Sequence, residues 1–153
     1  MKIMDILVRD AVILDVASDS KEMLLEEMAR ALSKSVPSLD TGRLLRVLVE
    51  REALQSTGIG EGVAIPHGKM PGLNDLVASF ARSRKGLDFD SIDGQPTQLF
   101  FLLVVPEHSG GAHLKALARI SRFFRDPAFR QKLIDAESLD AVFAAIEAED
   151  AKF

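Results

Sequence analysis

The 153-residue sequence predicts one α/β domain, residues 1–153, built as a sandwich of strands flanked by helices. Three observations lead there. Helical patterns come before, between and after strand-like segments. One of those segments, Leu99–Val105 (LFFLLVV), is a continuous apolar run ended by Pro106, as expected of a strand covered on both faces. No Pro/Gly/Ser-rich linker, internal repeat or low-complexity tract divides the chain, and its length suits a single well-packed core.

In chain order, Val12–Leu14 reads as a short strand. Residues 20–35 (SKEMLLEEMARALSKS) form an amphipathic helical pattern that Ser20 or Asp19 can cap. Asp40 caps a second helix running to about Leu54. Strand-like segments follow at Gly62–Pro66 and Leu76–Arg82, then the Leu99–Val105 run. Helical patterns occupy roughly 112–125, 127–135 and 138–148.

Composition narrows the chemistry. Hydrophobic residues make up 47% and charged residues 27%, the balance of a soluble globular protein. The net charge of −4, with Lys and Arg dispersed, argues against nucleic-acid binding, which draws on a concentrated positive surface. The absence of cysteine excludes disulfides, thiolate metal sites and cysteine nucleophiles. The N-terminus, MKIMDILVRDAVILD, is interrupted by acidic residues and lacks the uncharged apolar region of a signal peptide. No run approaches the roughly 18–20 apolar residues of a membrane span, so no membrane insertion is expected and the cytoplasm is the default location.

The most informative stretch is Arg51–Lys69, REALQSTGIGEGVAIPHGK. It passes from a helix end, through a loop with Gly58, Gly60 and Gly62, into a short apolar strand that stops at Pro66-His67-Gly68. Pro66 fixes its own φ and biases Ile65 towards an extended conformation, so His67 starts from a stiff support. Gly68 clears space for a close approach. The loop from Ser56 to Gly62 carries backbone N–H groups and the hydroxyls of Ser56 and Thr57, a set of donors for an anion. Nucleotide-binding patterns fail: a GxGxxG would need glycine at Ile65, and a Walker sequence fails because Lys69 precedes methionine. Pattern alone leaves the loop open between an anion site and a tight turn that happens to carry a histidine.

Two more residues support the anion reading. Leu44, Val47, Leu48 and Arg51 share one helix face, which aims Arg51 along the buried side next to the glycine loop. Arg51 can equally be a snorkelling side chain or a cation on helix-end carbonyls. His113 opens the helix after Leu99–Val105 and shares a face with Leu117, Ile120 and Phe124. It lies either near an anion at a helix N-terminus or in the core with a satisfied hydrogen bond. His108, in the PEHSGGA loop, reads as solvated, and no metal is expected, because the three histidines lack paired zinc-ligand spacing.

The sequence RExxxSTGIGxGVAIPHG, followed by the apolar strand, Pro106 and HLKALARI, resembles the phosphotransferase-system enzyme IIA domain (type 2) of the mannitol/fructose/nitrogen-regulatory class across essentially the whole chain. The resemblance implies a mixed sheet flanked by helices. It makes His67 the phosphoryl-accepting histidine through Nε2, with His113 as the second active-site histidine, Arg51 as the arginine of the RE pair and Glu61 as an acidic loop residue. The sequence departs at Gln55, where many members carry glycine before Ser-Thr. The implied donor is a phosphohistidine carrier, HPr or its nitrogen-branch counterpart NPr, charged from phosphoenolpyruvate through enzyme I. Downstream stand either regulated partner proteins or, in sugar-type fructose and mannitol members, a IIB domain (EIIB). The stand-alone length and the stretch FDSIDGQPTQLFFLLVVPE are more like the nitrogen-regulatory branch (EIIA-Ntr).

On this reading His113 donates a hydrogen bond to the phosphoryl oxygens, Arg51 orients the loop or offsets charge, and Ser56, Thr57, Gly58, Gly60 and Glu61 support phosphate binding. Gly68, Lys69 and Met70 form the docking rim. No cofactor is needed, because the phosphoryl group arrives already activated. Two rivals stand beside it: an interaction module that takes no phosphate, and a hydrolase using Ser56 or Ser109, neither of which has the GxSxG setting of a nucleophile elbow.

Overall fold

The computed structural model describes residues 1–153. Six helices and five strands follow in the order α1 (Ile3–Ile6), α2 (Lys21–Ser35), α3 (Thr41–Leu54), β1 (Gly58–Gly60), β2 (Val63–Ala64), β3 (His67–Met70), β4 (Val77–Leu87), β5 (Thr97–Pro106), α4 (Ala112–Phe124), α5 (Pro127–Asp135) and α6 (Leu139–Asp150). Helix starts fall where side-chain caps put them. Ser20 accepts a hydrogen bond from Met23 N, Asp40 from Arg43 N, Asp126 from Ala128 N and Ser138 from Ala141 N.

β5 is the spine of a mixed sheet. On one side β4 pairs with it antiparallel, Phe80 opposite Phe101. On the other, β2 and β3 pair with it parallel, Val63 opposite Leu99 and His67 opposite Leu103, and β1 extends the sheet beyond β2. Because strand side chains alternate, Leu99, Phe101, Leu103 and Val105 enter the core under α4, α5 and α6, while Phe100, Leu102 and Val104 enter the one under α2 and α3. The apolar run from Leu99 to Val105 is thus covered on both faces, as its composition predicts. No helix is long and apolar enough to cross a membrane.

Three strand expectations change. Val12–Leu14 is not a strand: a 3-10 turn at Arg9–Ala11 precedes it, and this part of the chain meets β4 through isolated bridges at Leu7 and Ile13 and not through a ladder. The expected strand Gly62–Pro66 shrinks to Val63–Ala64 and resumes as β3, so His67 begins a strand instead of following one. The break falls at Ile65 and Pro66. Ile65 N donates to Thr57 O outside the ladder, and Pro66 has no N–H to donate. Finally, β4 runs on to Leu87, past the expected end at Arg82, and the Arg82 side chain is fully buried.

Candidate functional site

β3 pairs with β5 on one side only, and at that open edge α3 from one helical layer and α4 from the other face each other. Between them lies a cleft of about 560 Å³. It brings together His67 and Lys69 of β3, Arg51 and Leu54 of α3, and His113 and Leu117 of α4. The expected helix faces are realised: Leu44 and Leu48 are buried behind Arg51, and Ile120 and Phe124 behind His113.

The half-buried His67 ring has Nδ1 2.8 Å from the Ile65 carbonyl. A carbonyl oxygen can only accept, so Nδ1 carries the ring proton and Nε2 keeps its lone pair. Burial pushes the His67 pKa below its ordinary value of 6.5. The hydrogen bond to Ile65 pulls the other way, as does the Glu52 carboxylate, while the Arg51 guanidinium and His113 add to the lowering. The ring is therefore a neutral nucleophile at neutral pH, with its reactive nitrogen chosen by a backbone contact.

His113 has the same arrangement. Its Nδ1 lies 2.9 Å from the Gly110 carbonyl, which leaves Nε2 as the atom available to a ligand. Ser109 Oγ sits 3.4 Å from that same Nδ1. A nitrogen already carrying a proton cannot take one from a serine, so the pair lacks the geometry of a hydrolase dyad. Arg51 donates from Nη1 to the Gln55 carbonyl at 2.8 Å. It thus combines a helix-end capping bond with a place in the cleft wall. Gln55 itself has φ −169°, extended backbone that any residue adopts, so the departure from glycine leaves the loop undisturbed.

The loop residues are placed behind the histidine and not in the cleft lining. Ser56 Oγ donates to Phe89 O and accepts from Gly58 N, and Thr57 gives its N–H and its hydroxyl to the buried Glu52 carboxylate. Gly60 (φ 92°), Glu61 (φ 58°) and Gly62 (φ 76°) make a left-handed run. Glu61 N donates to Asp93, and the Glu61 carboxylate lies 3.6 Å from Arg130, a partner from α5. The hydroxyl donors expected to meet an anion are thus already bonded within the chain.

Gly68 and Lys69 lie on the cleft, but Met70 does not belong to a docking rim. It is 2% exposed, because strand alternation turns it, like Gly68, towards α3 and the core beneath. His108 is exposed. Sequence reasoning missed three residues here. Leu54 (83% exposed) lines the cleft and Leu114 (62%) stands in solvent next to His113 in the chain, and the signal for both was an apolar residue off the buried face of its helix. Glu52, the acidic half of the RE pair, has no signal beyond its place in that motif.

Residues 5–149 match the family model described as "Phosphoenolpyruvate-dependent sugar phosphotransferase system, EIIA 2". The chain is 40% identical to a nitrogen regulatory protein of Bradyrhizobium diazoefficiens over 146 residues, 95% of each protein. It is 37% identical over 150 residues to the fructose-specific EIIABC component of Bacillus subtilis, covering 98% of this chain and 24% of that one. Among solved structures, nitrogen regulatory protein IIA-Ntr from Neisseria meningitidis superposes with a TM-score of 0.86 at 37% identity, over 93% of this chain and 97% of that one.

Proposed function

The chain belongs to the EIIA 2 family of the phosphoenolpyruvate-dependent sugar phosphotransferase system, and on that premise we propose that it accepts a phosphoryl group on His67 Nε2 from a phosphohistidine carrier, HPr or a nitrogen-branch counterpart. The observation that carries the reading is the hydrogen bond from Nδ1 to the Ile65 carbonyl, which presents Nε2 with its lone pair at the mouth of a cleft shared with His113 and Arg51.

The Nε2 lone pair attacks phosphorus in line with the donor nitrogen. As the new N–P bond forms, the old one breaks and its electron pair returns to the donor imidazole. Such transfers pass through a loose transition state, so the protein's part is positioning and charge stabilisation. As the imidazolium, with a proton on each ring nitrogen, His113 donates to the phosphoryl oxygens from Nε2 while its Nδ1 stays on Gly110. The Arg51 guanidinium offsets the incoming negative charge. Leu54 and Leu114 give the carrier apolar surface to cover, and Gly68 and Lys69 complete the rim it meets.

Similarity over nearly the full length of two nitrogen regulatory proteins supports a regulatory role, in which phosphorylation changes what partner proteins bind at this rim. Similarity to the EIIA portion of a fructose-specific component supports the second reading, transfer onward to a IIB domain for sugar uptake.

Incubation with phosphoenolpyruvate, enzyme I and the carrier, followed by phosphosite mapping, tests the first step. The expected product is one acid-labile, alkali-stable phosphoramidate on His67, absent from His67→Ala. Full labelling of His67→Ala would overturn the assignment. Partner capture with and without phosphorylation separates the two downstream readings. Recovery of only the carrier and a sugar-permease IIB domain would favour the second.

A further inference from the structure

We propose that Glu52 is a positioning residue for His67, acting through a continuous hydrogen-bonded chain from Lys21 to Glu52, Thr57, the Ile65 peptide and the imidazole. The proposal rests on the reading of His67 as the phosphoryl acceptor.

Glu52 is 8% exposed, an unusual place for a carboxylate unless its charge is matched. Lys21, at the start of α2, brings Nζ to 2.8 Å from it and lies over the Phe89 ring, 4.8 Å from the centroid. Both carboxylate oxygens lie 3.1 Å from Thr57 N, and the Thr57 hydroxyl donates to one of them. The loop peptide at Thr57 is thereby fixed from two donors on one residue. Its carbonyl accepts from Ile65 N at 3.0 Å, and the Ile65 carbonyl accepts from His67 Nδ1 at 2.8 Å.

Each link constrains the next. A peptide group is planar, so holding Ile65 N restricts the preceding peptide, and Pro66 restricts the one that carries the Ile65 carbonyl. That carbonyl selects the ring tautomer. If it swings away, Nδ1 loses its partner and the proton can sit on Nε2, which removes the nucleophile. The ion pair and the three hydrogen-bond steps after it join elements from different parts of the fold: α2, α3, the glycine loop and β3. No hydrogen bond or ion pair joins Glu52 to His67 directly. Its charge also acts on the ring directly, favouring the protonated form, against burial, Arg51 and His113, which disfavour it.

Two readouts test the proposal, one of them independent of phosphoryl transfer. The first is the 15N chemical shifts of the His67 ring in the unphosphorylated protein, above the pH at which it titrates. Wild type should show a protonated Nδ1 and an unprotonated Nε2. Glu52→Gln and Thr57→Val should move both shifts towards the average of the two tautomers, and Thr57→Ser should restore them. Glu52→Gln should also titrate His67 at lower pH than wild type.

The second readout is the rate of phosphoryl acceptance from the carrier. Glu52→Gln and Thr57→Val should slow it about tenfold at saturating carrier, equivalent to about 1.4 kcal/mol, with the carrier concentration for half-maximal rate unchanged and Thr57→Ser near wild type. Thr57→Val keeps the charge pair of Lys21 and Glu52 and serves if Glu52→Gln fails to fold. Wild-type ring shifts and rates in a folded Thr57→Val protein would overturn the proposal. Ring shifts that move as expected while His67→Ala still labels fully would leave the positioning chain standing and sink the acceptor assignment instead.

Discussion

Substitution of Gly68 by alanine probes the contact that seats β3 against α3. A Cβ on Gly68 would lie 2.5 Å from Val47 Cγ1, with Leu48 Cδ2 at 3.7 Å. Carbon atoms rest at about 3.5–4.0 Å, so the new methyl overlaps Val47 by more than ~1 Å. Val47 cannot easily turn away, because a β-branched side chain in a helix has one strongly preferred rotamer. Helix α3 cannot easily retreat either, since Leu44 and Leu48 are locked in the core at 0% and 1% exposure. Overpacking of this kind costs about 1–3 kcal/mol. At about 2–4 °C per kcal/mol for a domain of this size, the melting temperature should fall by roughly 2–12 °C. The remaining relief is movement of β3, which carries His67, and a displacement of about 1 Å can cost ~100-fold in rate. Val47→Ala removes the offending atom, so Gly68→Ala with Val47→Ala should be less destabilised than the sum of the single changes, by about 1–2 kcal/mol. Urea and thermal unfolding followed by circular dichroism measure all four proteins. A Gly68→Ala protein that melts with the wild type, or strict additivity in the double mutant, would refute the steric account.

Asp150, 3% exposed, accepts from Ile3 N and Met4 N and pairs with Arg119 at 3.1 Å, tying the N-terminal helix to the C-terminal one. Asp150→Ala should cost about 3–5 kcal/mol in urea unfolding, because Arg119 loses its buried partner. Arg82 donates from Nη1 to the carbonyls of Leu133, Ile134 and Ala136 at the end of α5, so Arg82→Met should destabilise by about 3 kcal/mol or more and speed amide exchange after α5. Because the folded pKa of His67 lies below 6.5, the unfolded chain binds the proton more tightly between those values. His67 should therefore contribute stability above the unfolded value that is lost as pH falls through the folded one, and His67→Ala should flatten that part of the stability–pH curve. His113→Ala should fold and bind the carrier but slow transfer about 10–150-fold in quenched-flow measurements, the worth of one charge-assisted hydrogen bond of roughly 1.5–3 kcal/mol.

Local chemistry determined much of this protein in advance. Ser20 and Asp40 placed helix starts because a cap acts within a few residues. The run from Leu99 to Val105 announced a doubly covered strand. Helical spacing put Arg51 and His113 on the inward faces of their helices, and the family resemblance joined them to His67, as the cleft now does. Other features came only with the tertiary structure. Arg82 reads as a polar strand residue, yet it is fully buried, where the end of α5, some fifty residues later in the chain, supplies carbonyls to Nη1 and Asp15 pairs with Nη2. Met70 followed a docking motif in sequence but falls on the core side of a strand whose start was set by the break at Pro66. The loop hydroxyls of Ser56 and Thr57 were free donors on paper and are consumed by Phe89 O and Glu52. The division has one cause. Propensity, capping and periodicity are written in neighbouring residues, whereas a polar group's remaining bonding capacity depends on which distant group packs against it, and that is decided only when the layers close.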